Sequence, residues 1–160
     1  MKLFKNAARL FVALAISAAP LAALSDDKRA DGPLMEPVKS VLDHYLKIQA
    51  ELAKDSVKDV GEHATAIAKA VKGDEMKMLS PDVAQQAEKL AQAKDITADR
   101  EAFKPLSASL VKYLADNKAG KGTYHEAYCP MAKASWLQTG TAIKNPYMGK
   151  AMLSCGELKN

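Results

Sequence analysis

The chain has 160 residues, with 23 Lys and Arg against 19 Asp and Glu, and a formal net charge of +4. No basic stripe is interleaved with its sparse aromatics, which removes the usual footprint of a nucleic-acid binder. This length suits one compact domain with a real core.

In chain order, residues 1–25 read as a signal peptide. Lys2, Lys5 and Arg9 precede an apolar run from Leu10 to Ala19, followed by Pro20 and small residues. That is the three-part layout of a secretory signal, and the run is too short to span a bilayer comfortably. Cleavage falls near Ser25 or Ala23; an uncleaved amphipathic anchor is the rival reading. The expected location is periplasmic, with no membrane span in the mature chain. Removal of the signal strips basic residues and no acidic ones, leaving the mature chain near neutral. An exported chain also meets an oxidising compartment, where two cysteines can bridge.

Residues 26–36 are polar, contain Gly32 and Pro33, and read as a flexible lead. Residues 37–160 form the predicted single domain. Val38, Val41, Leu42, Tyr45, Ile48 and Leu52 recur at helical steps after Pro37. Val57, Val60, Ala64, Ile67 and Val71 form a second stripe, with Asp55 and Ser56 as capping candidates. Ser80-Pro81-Asp82 supplies a cap, a first-turn proline and an acid ahead of Val83, Ala87 and Leu90. Phe103, Leu106, Leu110 and Tyr113 follow a Thr97 cap, with Pro105 expected to kink or restart that helix. Four such segments with short connections predict an all-α fold, an up-and-down four-helix bundle. From 120 to 160 the texture changes to Gly, Pro, Tyr, Met and Cys. This part is expected to be an irregular C-terminal Cys/Met lobe, with room for a short strand pair or one last helical turn around Gly149–Leu153.

Catalytic constellations are missing. No Gly-rich phosphate loop, nucleophile elbow or HExxH occurs, so no enzyme and no organic cofactor are expected. Cys129-Pro130-Met131 is not a CxxC redox motif, and CxxCH haem attachment is absent. His44 and His63, 19 residues apart on predicted helices, read as surface or interhelical polar groups rather than ligands. Met76-Lys77-Met78 can be a soft-metal hook, but a methionine plugging the bundle end is the better reading. Trp136, flanked by Tyr124, Tyr128 and Tyr147, serves either as an anchor of the lobe or as an aromatic wall over an ion.

The tail concentrates sulfur. "YHEAYCPMAKASW" holds His125, Cys129 and Met131; "NPYMGKAMLSCGE" holds Met148, Met152 and Cys155. Thiolate and thioether are soft donors suited to Cu(I) and Ag(I). The same two cysteines can instead form a disulfide closing a loop of about 26 residues. On the residues alone both remain open.

The string "AYCPMAKASWLQTGTAIKNPYMGKAMLSCGEL" resembles the end of the bacterial family known as domain of unknown function 3347. Members of that family are exported helical domains, also found appended to CusB-type copper/silver efflux adaptors. "LDHYLKIQAELAKDS" and "AKDITADREAFKPLSASLVKYL" stand upstream in the family order, so the resemblance runs from Val38 to Leu158. It implies a helical bundle associated with heavy-metal handling. By position Cys129, Met131, Met152 and Cys155 match the family's sulfur pattern. Met148 stands where an aromatic is common, which makes it the weakest member of the set. The expected function is a monomeric periplasmic protein that binds or relays Cu(I) or Ag(I), related to heavy-metal efflux and resistance. Its metal ligands would be Cys129, Met131, Met152 and Cys155, with His125 as auxiliary, and its partner a metal-efflux or envelope protein. The alternative is an envelope interaction module stapled by Cys129–Cys155, without metal.

Overall fold

Each amphipathic stripe became a helix because its apolar positions fall on one face and close on a shared core. A computed structural model describes residues 34–159; residues 1–25, read above as a signal peptide, and residues 26–33 of the expected lead lie outside the described residues. Helix α1 is Val38–Ala53 and buries Val41, Leu42, Tyr45, Ile48 and Leu52. Helix α2 is Val60–Lys72, burying Val60, Ala64, Ile67 and Val71. Val57 stands before it, exposed, so the second stripe starts one residue group later than its spacing suggested. Helix α3 is Pro81–Ala91, with Ser80 Oγ accepting from the Asp82 N–H as expected of that cap.

Helix α4 is Ile96–Asp116, and its cap is Asp95 rather than Thr97. The Asp95 carboxylate accepts from the N–H groups of Thr97 and Ala98, each at 2.9 Å. A carboxylate there also favours the positive end of the helix dipole. The helix runs unbroken through Pro105, which is exposed, so the carbonyl it frees at Glu101 faces the solvent side. Successive helices pack against one another, and α4 returns to touch α1.

The lobe departs from the all-α expectation. It forms a three-stranded antiparallel sheet ordered β2-β1-β3, with β1 at His125–Cys129, β2 at Ala134–Gln138 and β3 at Glu157–Leu158. Ala127 faces Trp136 across β1 and β2, and Tyr128 faces both Ser135 and Glu157. A 3-10 turn, Gly149–Met152, precedes β3. Strands this short show hardly two periods of alternation, and β3 pairs with β1 across a long loop, so local pattern could not reveal them. The fold is therefore a helical bundle with a C-terminal sheet.

This sheet completes the bundle's core. β2 lies on α4 and reaches α1, so Trp136, Leu137 and Gln138 are all buried. Its outer edge would leave main-chain groups unpaired inside the protein, at a cost comparable to lost hydrogen bonds. Two buried tyrosines supply the partners. The Leu137 N–H donates to Tyr45 Oη at 3.0 Å, and Tyr147 Oη donates to the Ser135 carbonyl at 2.6 Å. Tyr45 also stacks on Phe103, with ring centroids 4.8 Å apart, and Tyr147 meets Trp136 edge-on. Bundle and lobe thus share one aromatic core.

Candidate functional site

Strand β1 delivers Cys129 to the edge of that core and then turns at Pro130 and Met131. The turn brings the Ala132 N–H back onto Cys129 Sγ at 3.4 Å. From the other end of the lobe Cys155 arrives, and the two Sγ atoms lie 3.3 Å apart as free thiols. Cys129 is fully buried and Cys155 half-buried. The site therefore opens to solvent on the Cys155 side.

Asn145 holds Cys155 in place. Wholly buried, it donates from Nδ2 to the Cys155 carbonyl at 2.6 Å. Its Oδ1 accepts from the N–H groups of Tyr147 and Met148, and its own N–H donates to the Leu153 carbonyl at 2.8 Å. One side chain thus closes the segment from 145 to 155 on itself, which gives the "NPY" element a structural reason. Two glycines permit the close approaches. Gly149 has φ +57° and sits where a Cβ would run into the Asp55 carboxylate and the Arg100 guanidinium. At Gly156, φ is +138°, and a Cβ would lie 2.8 Å from the Tyr128 carbonyl and 2.9 Å from the Trp136 ring.

The bundle clamps this segment from outside. Arg100 on α4 donates to the carbonyls of Pro146 and Leu52 and to Asp55 Oδ1, at 2.8, 3.0 and 2.6 Å. The second oxygen of Asp55 accepts from the Lys150 N–H at 3.0 Å, and Gln49 donates to the Lys144 carbonyl. Asp55, expected as a helix cap, is instead the lobe's docking carboxylate. Its hydrogen bond from Arg100, then the one from Lys150, holds its pKa below the ordinary aspartate value.

The two thiols differ. Burial pushes the Cys129 thiol up, but the Ala132 N–H, the Cys155 thiol, the Asn145 amide and the Met131 N–H together bring it below the usual thiol range. Cys155 moves the other way, because its proton is held by Cys129, and because burial and the neighbouring negative charge both oppose a second thiolate. When one of the pair ionises, these opposite shifts make Cys129 the thiolate and leave the proton on Cys155.

The remaining sulfur residues fall into two groups. Met131, in the turn beside Cys129, is 60% exposed, and Met152, at the end of the 3-10 turn, is 38% exposed. Both flank the thiol pair in the chain, and the Met152 carbonyl accepts from the Cys155 N–H at 3.0 Å. Met148 instead packs half-buried against the core. His125 begins β1 while Cys129 ends it, so about 13 Å of strand separates their backbones. That distance takes His125 out of the sulfur cluster. Met78 packs on the core and Met76 is exposed. Trp136 is an anchor of the lobe, with its Nε1–H donating to Gln138 Oε1 at 3.0 Å.

Among the described residues no group of three or more His, Cys, Asp or Glu side chains converges to hold a metal ion. The donors at this site are two thiols with thioethers close by, a soft set. Two thiolates on one tetrahedral ion, with bonds of about 2.3 Å, stand about 3.7 Å apart. A disulfide needs the sulfurs at about 2.05 Å. The observed 3.3 Å thus lies nearer the chelating separation than the bonded one.

Fold and site together define a helical-bundle domain whose C-terminal sheet presents a paired-thiol centre. The chain belongs to the family described as protein of unknown function (DUF3347), whose model matches residues 41–122. The match covers α2, α3, α4 and all but the first turn of α1, and ends before β1, so the thiol centre lies beyond it. No curated protein and no solved structure matches the chain. No helix among the described residues is long and apolar enough to cross a membrane.

Proposed function

We propose that this protein binds or relays Cu(I) or Ag(I) as cargo through Cys129 and Cys155, in the periplasm, in connection with heavy-metal efflux. The observation that carries the reading is the approach of two unbridged thiols to 3.3 Å across a distance of 26 residues in the chain. Backbone N–H groups on Cys129 supply what a thiolate ligand needs, charge stabilisation without an attached proton. Soft cations gain most from thiolates, and the exposed thioethers of Met131 and Met152 are the natural completing donors. Half-exposure of Cys155 gives an ion a route in and out, as a relay requires.

A titration of reduced protein with Cu(I), against a chromophoric competitor and by native mass spectrometry, tests this. One ion per chain is expected, lost in both Cys129→Ser and Cys155→Ser. A double Met131→Leu, Met152→Leu variant preserves volume but removes the thioethers, and should bind more weakly. No saturable binding by the reduced protein overturns the proposal.

The same proximity favours one second reading, an interaction module stapled by a Cys129–Cys155 disulfide. Thiol counting on protein taken directly from the periplasm separates the two. Two free thiols support the metal reading; none supports the staple.

A further inference from the structure

Outside the sulfur centre, α1 and α2 bring His44 and His63 together, two of the chain's three histidines. Their Nδ1 atoms face each other at 3.1 Å. The rings are tilted by 49° with centroids 5.1 Å apart, not stacked. Both side chains are half-buried, so the junction of the two helices leaves them reachable by water. Two nitrogens at this distance must share one proton, with one ring donating and the other accepting.

A divalent cation can take that proton's place. With bonds of about 2.05 Å, two imidazole nitrogens on one ion stand about 3.3 Å apart at a tetrahedral angle and about 2.9 Å at a right angle. The observed 3.1 Å lies between these, so chelation requires almost no movement of either helix. A neutral imidazole ligates through the lone pair of one ring nitrogen, and here both Nδ1 atoms already point at the same spot. Asp43, Lys47 and Glu62 are the charged side chains that act on His44, two carboxylates against one ammonium. That balance favours an added cation.

We propose that His44 and His63 form a second metal site, a two-imidazole chelate for a borderline divalent cation such as Zn²⁺ or Cu²⁺, with water in the remaining positions. It is separate from the thiol centre in both elements and donor chemistry: nitrogen for a borderline divalent ion, sulfur for a soft monovalent one. On binding, the donor ring's proton moves through solvent from Nδ1 to Nε2, so both rings ligate through Nδ1 as neutral imidazoles with no net proton release.

The test uses ¹⁵N-labelled full-length mature protein titrated with Zn²⁺ and followed through the imidazole ring resonances. Those of His44 and His63 should move together and saturate at one ion, while His125 stays fixed. In a Cys129→Ser, Cys155→Ser background, calorimetry should show Zn²⁺ affinity reduced at least tenfold by His44→Gln or His63→Gln, and unchanged by His125→Gln. Immobile His44 and His63 resonances in the wild-type titration overturn the proposal and leave a hydrogen-bonded pair. Retention of full affinity in both glutamine variants does the same.

Discussion

At Cys129 and Cys155 the physical question is where one proton resides. Metal chelation needs both sulfurs deprotonated, so affinity depends on pH through the thiol whose pKa is raised. Cys155 is that thiol. Apparent Cu(I) affinity, measured by competition from about pH 6 to 9, should therefore rise throughout and not level off at the ordinary thiol value near pH 8.5. A plateau at lower pH would mean that the sulfurs titrate independently. Tyr45 shows the other use of a buried polar atom. Burial drives its pKa far above the ordinary phenol value, so it stays a neutral hydroxyl, bonded to Ser107 and accepting from the Leu137 N–H. Tyr45→Phe keeps the ring stack but orphans that N–H, and should cost about 1–3 kcal/mol in urea unfolding.

Among the elements, the segment from Asn145 to Cys155 has little regular structure and is held by side chains instead. Asn145→Ala would leave the Tyr147 and Met148 N–H groups and the Cys155 carbonyl without their partner. A loss of about 3 kcal/mol or more is expected, with weaker Cu(I) binding because Cys155 is no longer positioned. The outer clamp has a pH dependence with a definite sign. The native Asp55 pKa lies below its ordinary value, so its contribution is complete above about pH 4 and is lost as the pH falls through the lower native value. Asp55→Asn should lower the melting temperature at neutral pH. It should also flatten the acid limb of the stability profile, measured by thermal melts from about pH 6 down to 2. An unchanged acid limb would place the lobe's docking elsewhere.

For the whole molecule, the important fact is that the lobe is not an appendage. Trp136, Leu137 and Tyr147 belong to the same core as Tyr45 and Phe103. A chain ending at Gly120 would expose that aromatic core and strip Tyr45 of its strand partner. It should give helical far-ultraviolet circular dichroism without a cooperative melt. The complete protein, reduced and free of metal, should melt cooperatively, because the four helical faces, Trp136 and Tyr147 close one apolar core. A disordered spectrum for metal-free protein would instead make the metal a folding element.

The sequence by itself determined the four helices. Their buried faces are local: Val41, Leu42, Tyr45 and Ile48 repeat at the helical period whatever lies opposite. Ser80 and Pro81 mark the α3 start through chemistry contained in three residues. Where a cap could be one of several neighbouring polar residues, as at Thr97 and Asp95, the residue whose oxygen reached two N–H groups prevailed. The sulfur residues of the site were legible as a list, but not their arrangement. Nothing local says that Cys129 meets Cys155 while His125 stands at the far end of the same strand, since those separations follow from β1 and the loop tied by Asn145. The sheet itself, the Asp55–Arg100 clamp and the His44–His63 pair were decided by tertiary structure alone. Each joins segments far apart in sequence, whose partners become neighbours only when the shared core closes.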